Sequence, residues 1–246
     1  MSEIVTAGIL VIGDEILSGR TKDKNIGFIA DYLTNIGIDL REVRVVADDE
    51  PDIIAALDAL RARYNYVFTT GGIGPTHDDI TADSIAKAFG VGIDHHPEVV
   101  ARFKERFKNP GELNEARLRM ARIPDGAELI QSATILAPGF KIGNVIVMAG
   151  VPSIMQAMMD IVAPTLKSGV RMLSESVRAN CREGDIGGPL REIANAHPDT
   201  MIGSYPFLDE NQKPNTNLVV RSRDPEKLNA AVTAVKEMIA QLSAAR

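Results

Sequence analysis

The sequence has little cysteine and no excess of basic residues, and both shortages restrict what the protein can do. Cys181 is the single cysteine among 246 residues, which excludes an internal disulfide framework and a CxxC zinc site. Acidic side chains outnumber basic ones by 33 to 27, whereas non-specific nucleic-acid binding depends on Lys and Arg that neutralise phosphates. We therefore expect no nucleic-acid partner.

Long apolar runs and targeting signals are also missing. No run approaches the roughly 18 apolar residues that a membrane-spanning helix requires. The first residues, MSEIVTAGIL, lack the basic start and cleavage site of a signal peptide. These features predict no membrane partner and a cytoplasmic location. The hydrophobic fraction of 45% is typical of a globular chain that is long enough to bury a sizeable core.

The first two thirds of the chain alternate between strand and helix patterns. Because strand–helix–strand order favours parallel pairing, the pattern predicts a three-layer α/β/α fold with a mostly parallel sheet. We place this domain at residues 3–167. The predicted strands cover residues 4–12, 39–46, 64–70 and 144–148, and the predicted helices begin near residues 24, 49, 78 and 152. Two more polar helical segments, 97–108 and 112–121, are expected outside the sheet.

Residues 168–246 follow a different pattern. An alternating segment at 170–179 predicts a strand, and a short helix is expected at 187–196. Two further strands at 200–207 and 216–223 precede a last helix that opens at residue 224. This order indicates a small α+β domain, compatible with a ferredoxin-like arrangement.

Ligands of open parallel sheets bind beyond the carboxyl ends of the strands. Three loops leave such ends here, and each is rich in glycine, proline or carboxylate. We predict a site where they converge. The loops contain Gly13, Asp14 and Glu15 after the first strand, residues 70–79 after the third, and Gly150, Pro152 and Ser153 after the fourth.

The middle loop has the features of a phosphate cradle. Gly71, Gly72 and Gly74 allow the backbone to approach a ligand and to direct successive N–H groups at it. The hydroxyl of Thr76 is a candidate donor, and the following helix is expected to begin near Asp78. A tight strand-to-helix turn, capped by one of the two aspartates, is the open structural alternative.

Asp78 and Asp79 would repel a phosphate held by these amides unless a cation lies between them. Mg²⁺ typically binds one or two carboxylates together with phosphate oxygens and water. We therefore predict that this pair holds a divalent metal. The alternative is that one aspartate caps the helix while the other is solvated.

Two polar residues flank the entry to the first helix. Helix capping would account for one of these residues, Asp23 or Asn25. The more specific hypothesis is that both side chains point into the site. At the end of the first strand, Asp14 and Glu15 are expected to hold a metal or to accept hydrogen bonds from ligand hydroxyl or amino groups.

Together these motifs resemble the molybdopterin-binding (MoCF biosynthesis) family, and most closely the amino-terminal part of its competence/damage-inducible protein A (CinA) branch. The resemblance is carried by residues 13–19, by Asp23 and Asn25, and by residues 70–81, which include Pro75 and Thr81. Asp79 falls on the family's aspartate before Ile/Val-Thr. The three glycines fall on the ligand-loop positions.

The resemblance implies that a phosphorylated pterin or nucleotide binds at the carboxyl edge of the sheet. Its nearest branch is linked to hydrolysis of dinucleotide pyrophosphates such as ADP-ribose, and a related domain sits beside eukaryotic FAD synthase. We therefore expect a pyrophosphatase or nucleotidyl-transfer enzyme in which Asp79, Asp78 and Asp23 are catalytic and Mg²⁺ assists. The alternative is a non-catalytic molybdopterin carrier. Homo-oligomers are common in the family and are expected here.

Overall fold

The chain is described by a computed structural model at residues 4–132 and 134–244. It divides into two compact units, the first ending at Gly169 and the second beginning at Val170. The strands of the first unit are β1 (Val5–Ile12), β2 (Ile38–Val46), β3 (Tyr66–Thr70), β4 (Ile93–His95), β5 (Arg122–Pro124), β6 (Glu128–Ile130), β7 (Gly139–Ile142) and β8 (Val145–Met148). Its helices are α1 (Asp14–Leu17), α2 (Asn25–Asn35), α3 (Glu50–Arg61), α4 (Thr81–Phe89), α5 (Pro97–Arg106), α6 (Glu115–Arg119) and α7 (Pro152–Val162), and a 3₁₀ turn follows at Ala163–Thr165.

The central sheet of this unit has the strand order β2-β1-β3-β8-β7-β6. Its first four strands are parallel, and β7 and β6 add an antiparallel hairpin at one edge. The predicted mostly parallel sheet is thus confirmed. The hairpin was not predicted, because strands of three and four residues are too short to show a period-2 pattern.

Apolar side chains alternate between the two faces of β1, which explains its uninterrupted apolar run. Ile9 packs with Ile29 of α2 and Met155 of α7 on one face. Leu10 packs with Leu57 of α3 on the other face. Helices therefore cover both sides of the sheet, and the predicted three-layer α/β/α fold is confirmed.

Two predictions about the loops that follow the strands are wrong. Helix α4 begins at Thr81 rather than near Asp78, and its N-cap residue, Ile80, makes no side-chain capping bond. Neither Asp78 nor Asp79 therefore caps α4. The segment after β1, expected to be a loop, forms the one-turn helix α1 (Asp14–Leu17), in which the N–H of Ser18 donates to the carbonyl of Asp14.

The second unit consists of β9 (Leu173–Arg178), α8 (Glu183–Ala196), β10 (Met201–Leu208), β11 (Pro214–Ser222) and α9 (Pro225–Ala244). Its antiparallel sheet has the order β10-β11-β9. Leu218 and Val220 of β11 pack against Ile186 of α8 and Val235 of α9. The predicted small α+β layer is confirmed, although α8 begins four residues earlier than expected.

The longest helix described, α9, has twenty residues and carries Glu226, Lys227, Lys236 and Glu237 along its length. Its buried residues recur at helical spacing and lie over the sheet of its own unit. Within the two described ranges, no helix is both long and apolar enough to cross a bilayer.

Candidate functional site

A pocket of about 230 Å³ lies at the carboxyl ends of β1 and β3, beside the start of α2 and the loop before α7. Six residues predicted from the sequence line it, which confirms that the three strand-end loops converge. These residues are Glu15, Asp23, Asn25, Gly71, Gly150 and Pro152.

Glycines allow the loops after β1, β3 and β8 to touch at this pocket. Gly71 has φ of 103°, and a Cβ atom there would lie 2.1 Å from the carbonyl oxygen of Ile12. Its N–H donates to the carbonyl of Met148 at 3.3 Å. A Cβ on Gly150 would lie 3.3 Å from the Cα of Gly71. A side chain at Gly71 would therefore push the strand ends apart, and one at Gly150 would be tightly packed against Gly71.

The start of α2 contributes Asp23 and Asn25 in different ways. Asp23 accepts the N–H of Ile26 at 2.8 Å, and so it satisfies a free donor of the first turn. Asn25 is buried, and its Nδ2 donates to the carbonyl of Gly150 at 2.8 Å. Capping thus explains Asp23, whereas Asn25 ties α2 to the loop that precedes α7.

The glycine loop after β3 folds around the carboxylate of Asp79. This carboxylate accepts the N–H of Thr76 at 2.8 Å and also the Thr76 hydroxyl. The hydroxyl expected to serve a ligand therefore serves the loop. The carbonyl of Asp79 accepts two bonds from Arg119 of α6, at 3.1 and 3.3 Å.

The Asp79 side of the glycine loop is closed to a ligand. A Cβ on Gly74 would lie 2.6 Å from Oδ2 of Asp79, and the cavity on that side measures about 10 Å³. Such a cavity holds at most about one water molecule. Among the described residues, no hydrogen bond uses the N–H groups of Gly72, Ile73 and Gly74. The amides are thus free, but the predicted cradle does not surround an anion on the Asp79 side.

Four other predicted ligand residues lie away from the pocket. Thr81 is buried, and its Oγ donates to the carbonyl of Gly71 at 2.9 Å, so it holds the loop against α4. Gly13 donates to the carbonyl of Val46, which ties the end of β1 to β2. Pro75 borders a separate open depression, and Ser153 is exposed in the first turn of α7.

An acidic cluster lies at the end of β2, and sequence reasoning missed its central member. Asp48 accepts the N–H of Asp14 at 3.0 Å. Burial raises the pKa of the Asp48 carboxyl, and the nearby charges of Asp14, Glu15 and Asp78 add to the increase. Asp14 was selected because ligands bind beyond the carboxyl ends of parallel strands. The same reasoning applies to Asp48, which follows β2 by two residues.

The pKa of the Asp78 carboxyl shifts in the opposite direction, below its ordinary value. The adjacent Thr76 hydroxyl and the backbone N–H of Asp78 itself lower the pKa of Asp78, and His77 contributes to the decrease. Two neighbouring carboxyls whose pKa values move apart are suited to different protonation states at one pH. The Asp48 carboxyl therefore keeps its proton to a higher pH than an ordinary carboxyl, and the Asp78 carboxyl loses its proton at a lower one.

The raised pKa of Asp48 predicts that Asp48→Asn stabilises the fold at neutral pH. The unfolded chain ionises this group more readily, so the folded state loses stability as pH rises through and above the usual carboxyl range. The asparagine oxygen can still accept the Asp14 N–H. We expect a higher midpoint of thermal unfolding than wild type at pH 7, with the difference vanishing near pH ~3. Equal midpoints across that range would contradict the assigned cause.

The described residues contain no group of three or more His, Cys, Asp or Glu side chains arranged to hold a metal ion. Asp78 and Asp79 provide two carboxylates, and the Asp78 carboxyl stays ionised because its pKa is lowered. Two carboxylates suffice for Mg²⁺ when phosphate oxygens and water complete its coordination. These residues thus fit a metal that arrives with a phosphorylated ligand.

Comparison with known families gives two adjoining matches. Residues 8–168 match the family described as a probable molybdopterin binding domain, MoCF biosynthesis. Residues 171–246 match the middle domain of FAD synthase. The first match spans most of the unit that contains the pocket and the glycine loop.

Individual relatives agree with these matches. The chain is 32% identical to a probable FAD synthase of Caenorhabditis elegans, over 98% of the chain but only 51% of the relative's length. It is 32% identical to a protein of Archaeoglobus fulgidus, covering 94% of the chain and 96% of that protein. The crystal structure of a CinA protein of unknown function from Thermoplasma acidophilum superposes with a TM-score of 0.62 at 32% identity, covering 66% of this chain and 98% of that one. The chain therefore belongs to the molybdopterin-binding (MoCF biosynthesis) family, in its CinA-like branch.

Proposed function

We propose that this protein binds a phosphorylated pterin or nucleotide at the carboxyl edge of the sheet and hydrolyses or forms its diphosphate linkage. A pyrophosphatase acting on ADP-ribose or FAD is the favoured activity. The observation that carries this proposal is the run of free amides at Gly72, Ile73 and Gly74 beside two aspartates. Free backbone N–H groups at a strand–helix junction are suited to phosphate oxygens.

Two lysines are available to an anionic ligand that approaches from the pocket side. Lys22 and Lys24 line the pocket, and their charge offsets that of Glu15 and Asp23. In hydrolysis, water attacks one phosphorus and the bridging P–O bond breaks, so each product carries a phosphate monoester. Asp48 is the group we assign to hold or transfer a proton, because it contacts Asp14 next to the pocket residue Glu15 and its pKa is raised.

Mg²⁺ would supply charge neutralisation of the phosphoryl oxygens, and Asp78 and Asp79 would hold it. The protein's own residues would position the phosphate and the nucleophile. The loop amides orient the phosphate, and Asp23 lies at the pocket wall with one oxygen committed to α2. We assign its other oxygen to orient the nucleophile.

The relatives support a dinucleotide rather than a simple phosphate. A probable FAD synthase matches almost the whole chain over about half of its own length, and residues 171–246 match the family described as the FAD synthase middle domain. FAD contains the diphosphate bond that the proposed chemistry would break or make. A homo-oligomer, expected from the family resemblance, remains part of the proposal.

A non-catalytic molybdopterin-binding or carrier role is the second candidate. It is favoured by the Asp79 carboxylate, which is already satisfied by the N–H and hydroxyl of Thr76. A carboxylate held in this way stabilises a loop without any ligand. The carrier role predicts pterin binding without turnover.

Incubation with FAD, ADP-ribose and molybdopterin, each with and without Mg²⁺, tests the proposal. Pyrophosphatase activity predicts AMP with FMN from FAD, and AMP with ribose 5-phosphate from ADP-ribose, both separable by chromatography. Bound molybdopterin without any new phosphate monoester would establish the carrier instead. Absence of both binding and turnover would rule out both candidates.

A further inference from the structure

A second depression, of about 570 Å³, lies on the first unit and shares no lining residue with the pocket at the ends of β1 and β3. Its volume falls within the ~300–1,000 Å³ of small-molecule sites. Four side chains that donate hydrogen bonds line it: His77 of the loop before α4, His95 of β4, Arg119 of α6 and Arg122 of β5. The chain as a whole is acidic, so its composition does not account for this local concentration of donors.

Backbone pairing and one shared carboxylate hold three of these donors together. His95 and Arg122 are directly opposite each other in the antiparallel pair of β4 and β5. Opposite residues of such a pair lie on one face, with Cβ atoms about 4.5–5.5 Å apart. Arg122 and Arg119 both approach the carboxylate of Asp83 in α4, at 2.6 and 3.7 Å. The arrangement is thus fixed by the fold and not by a ligand.

The two guanidinium groups are held in place and still have N–H groups to offer. Arg122 binds Asp83 through both terminal nitrogens, and Arg119 donates from Nε and Nη2 to the carbonyl of Asp79. Among the described residues, no hydrogen bond uses Nε of Arg122 or Nη1 of Arg119. Because both side chains are already ordered, a ligand that accepts from them pays little of the usual cost of ordering.

The lining favours an anion with several free oxygens. Asp83 borders the closed cavity beside Asp79 and does not line this depression. Glu115 is the one carboxylate that the described residues bring to it, and this side chain is exposed at the start of α6. The donors belong to four different elements and therefore approach from several directions. A terminal phosphate can accept from several directions, whereas a carboxylate has two oxygens in one plane.

We propose that this depression binds the phosphate monoester group of a small molecule, with Arg119, Arg122, His77 and His95 as its hydrogen-bond donors. Guanidinium groups suit phosphate because their planar fork of N–H groups matches two of its oxygens. The depression is larger than a phosphate ion requires, so a sugar attached to the phosphate also fits. The inference does not depend on the proposed function, because the pocket and the glycine-loop amides take no part in it.

The histidine ring signals in NMR spectra report directly on this site. The chain has four histidines, of which His77 and His95 line the depression, whereas His96 and His197 do not. Metal-free protein is titrated at constant ionic strength with inorganic phosphate, with ribose 5-phosphate and with acetate. We expect both phosphates to shift the His77 and His95 signals to saturation, acetate to bind more weakly, and His197 to stay unchanged. Tighter binding of ribose 5-phosphate would show that the sugar is recognised, and equal binding that the phosphate alone is.

Two variants should change phosphate affinity in opposite directions. Glu115→Gln removes the lining carboxylate and should tighten binding about threefold to tenfold, an increase that misfolding cannot produce. Ala116→Glu adds a carboxylate to the lining and should weaken binding by a similar factor. Glu105→Gln in α5, which is exposed and outside the depression, is the matched control and should have no effect.

Four results would overturn the inference. They are the absence of a saturable shift, acetate binding as tightly as phosphate, equal effects of Glu115→Gln and Glu105→Gln, and movement of the His77 signal alone. The last would place the phosphate at the glycine loop, where the proposed function expects it. Turnover is not measured, so a failed pyrophosphatase assay and a failed titration are separate outcomes.

Discussion

Asp79→Asn should reduce the turnover of FAD or ADP-ribose by roughly 10²–10³-fold, the usual cost of losing one preorganised electrostatic group at a reacting phosphate. The amide removes the negative charge that would hold a cation beside the phosphate. Its remaining oxygen can still accept the Thr76 N–H, so the loop should keep its shape. Steady-state kinetics with Mg²⁺ measures the loss, and circular dichroism shows whether the fold is retained.

Asp49→Asn is the matched control for that experiment. Asp49 is exposed and caps α3 by accepting the N–H of Asp52, and asparagine caps helices about equally well. It therefore changes one carboxylate to an amide near the site without a structural cost. If Asp79→Asn retains wild-type turnover, or if both variants lose it equally, Asp79 has no catalytic role.

Elements with strong periodic patterns were predictable because one physical rule governs each of them. β1 and β8 are buried on both faces, so their sequences are continuously apolar, and α3 combines a capping aspartate with Pro51 in its first turn. The hairpin of β6 and β7 and the small β4–β5 pair escaped, because three or four residues carry no measurable period.

The candidate site was predictable as a place but not as a set of contacts. The strand-end rule located the pocket, since it depends only on sheet topology. The Asp79 carboxylate can accept a hydrogen bond either from the first turn of α4 or from the N–H of Thr76. The same sequence is compatible with both, and the structure shows the bond to Thr76.

Asp48 was missed for a different reason. The neighbouring Asp49, Glu50 and Pro51 form a strong helix-start signal, and this signal accounts for the acidic run without any functional role. Only the tertiary contact with the Asp14 N–H, and the increase in pKa that burial causes, separate Asp48 from an ordinary helix-start residue. Of two adjacent aspartates, Asp49 thus caps a helix and Asp48 contacts the candidate site, and the sequence alone does not distinguish these roles.

Gly72→Ala should strongly destabilise the fold. Gly72 has φ of 67°, and a Cβ there would lie 2.1 Å from Oγ1 of Thr81. The left-handed conformation costs alanine about 1–2 kcal/mol. Displacing the buried Thr81 hydroxyl from the carbonyl of Gly71 adds about 1–3 kcal/mol. We expect the midpoint of thermal unfolding to fall by roughly 5–15 °C.

Gly90→Ala separates the two causes of that loss. Gly90 closes α4 with φ of 66°, almost the same conformation, but a Cβ there meets nothing within 4 Å. It should therefore lose only the conformational part, about 1–2 kcal/mol. A similar decrease for both variants, measured by thermal unfolding, would show that the contact with Thr81 contributes little. A clearly larger decrease for Gly72→Ala would mean that the loop requires glycine because Thr81 of α4 packs directly against it, which keeps the neighbouring amides free for a ligand.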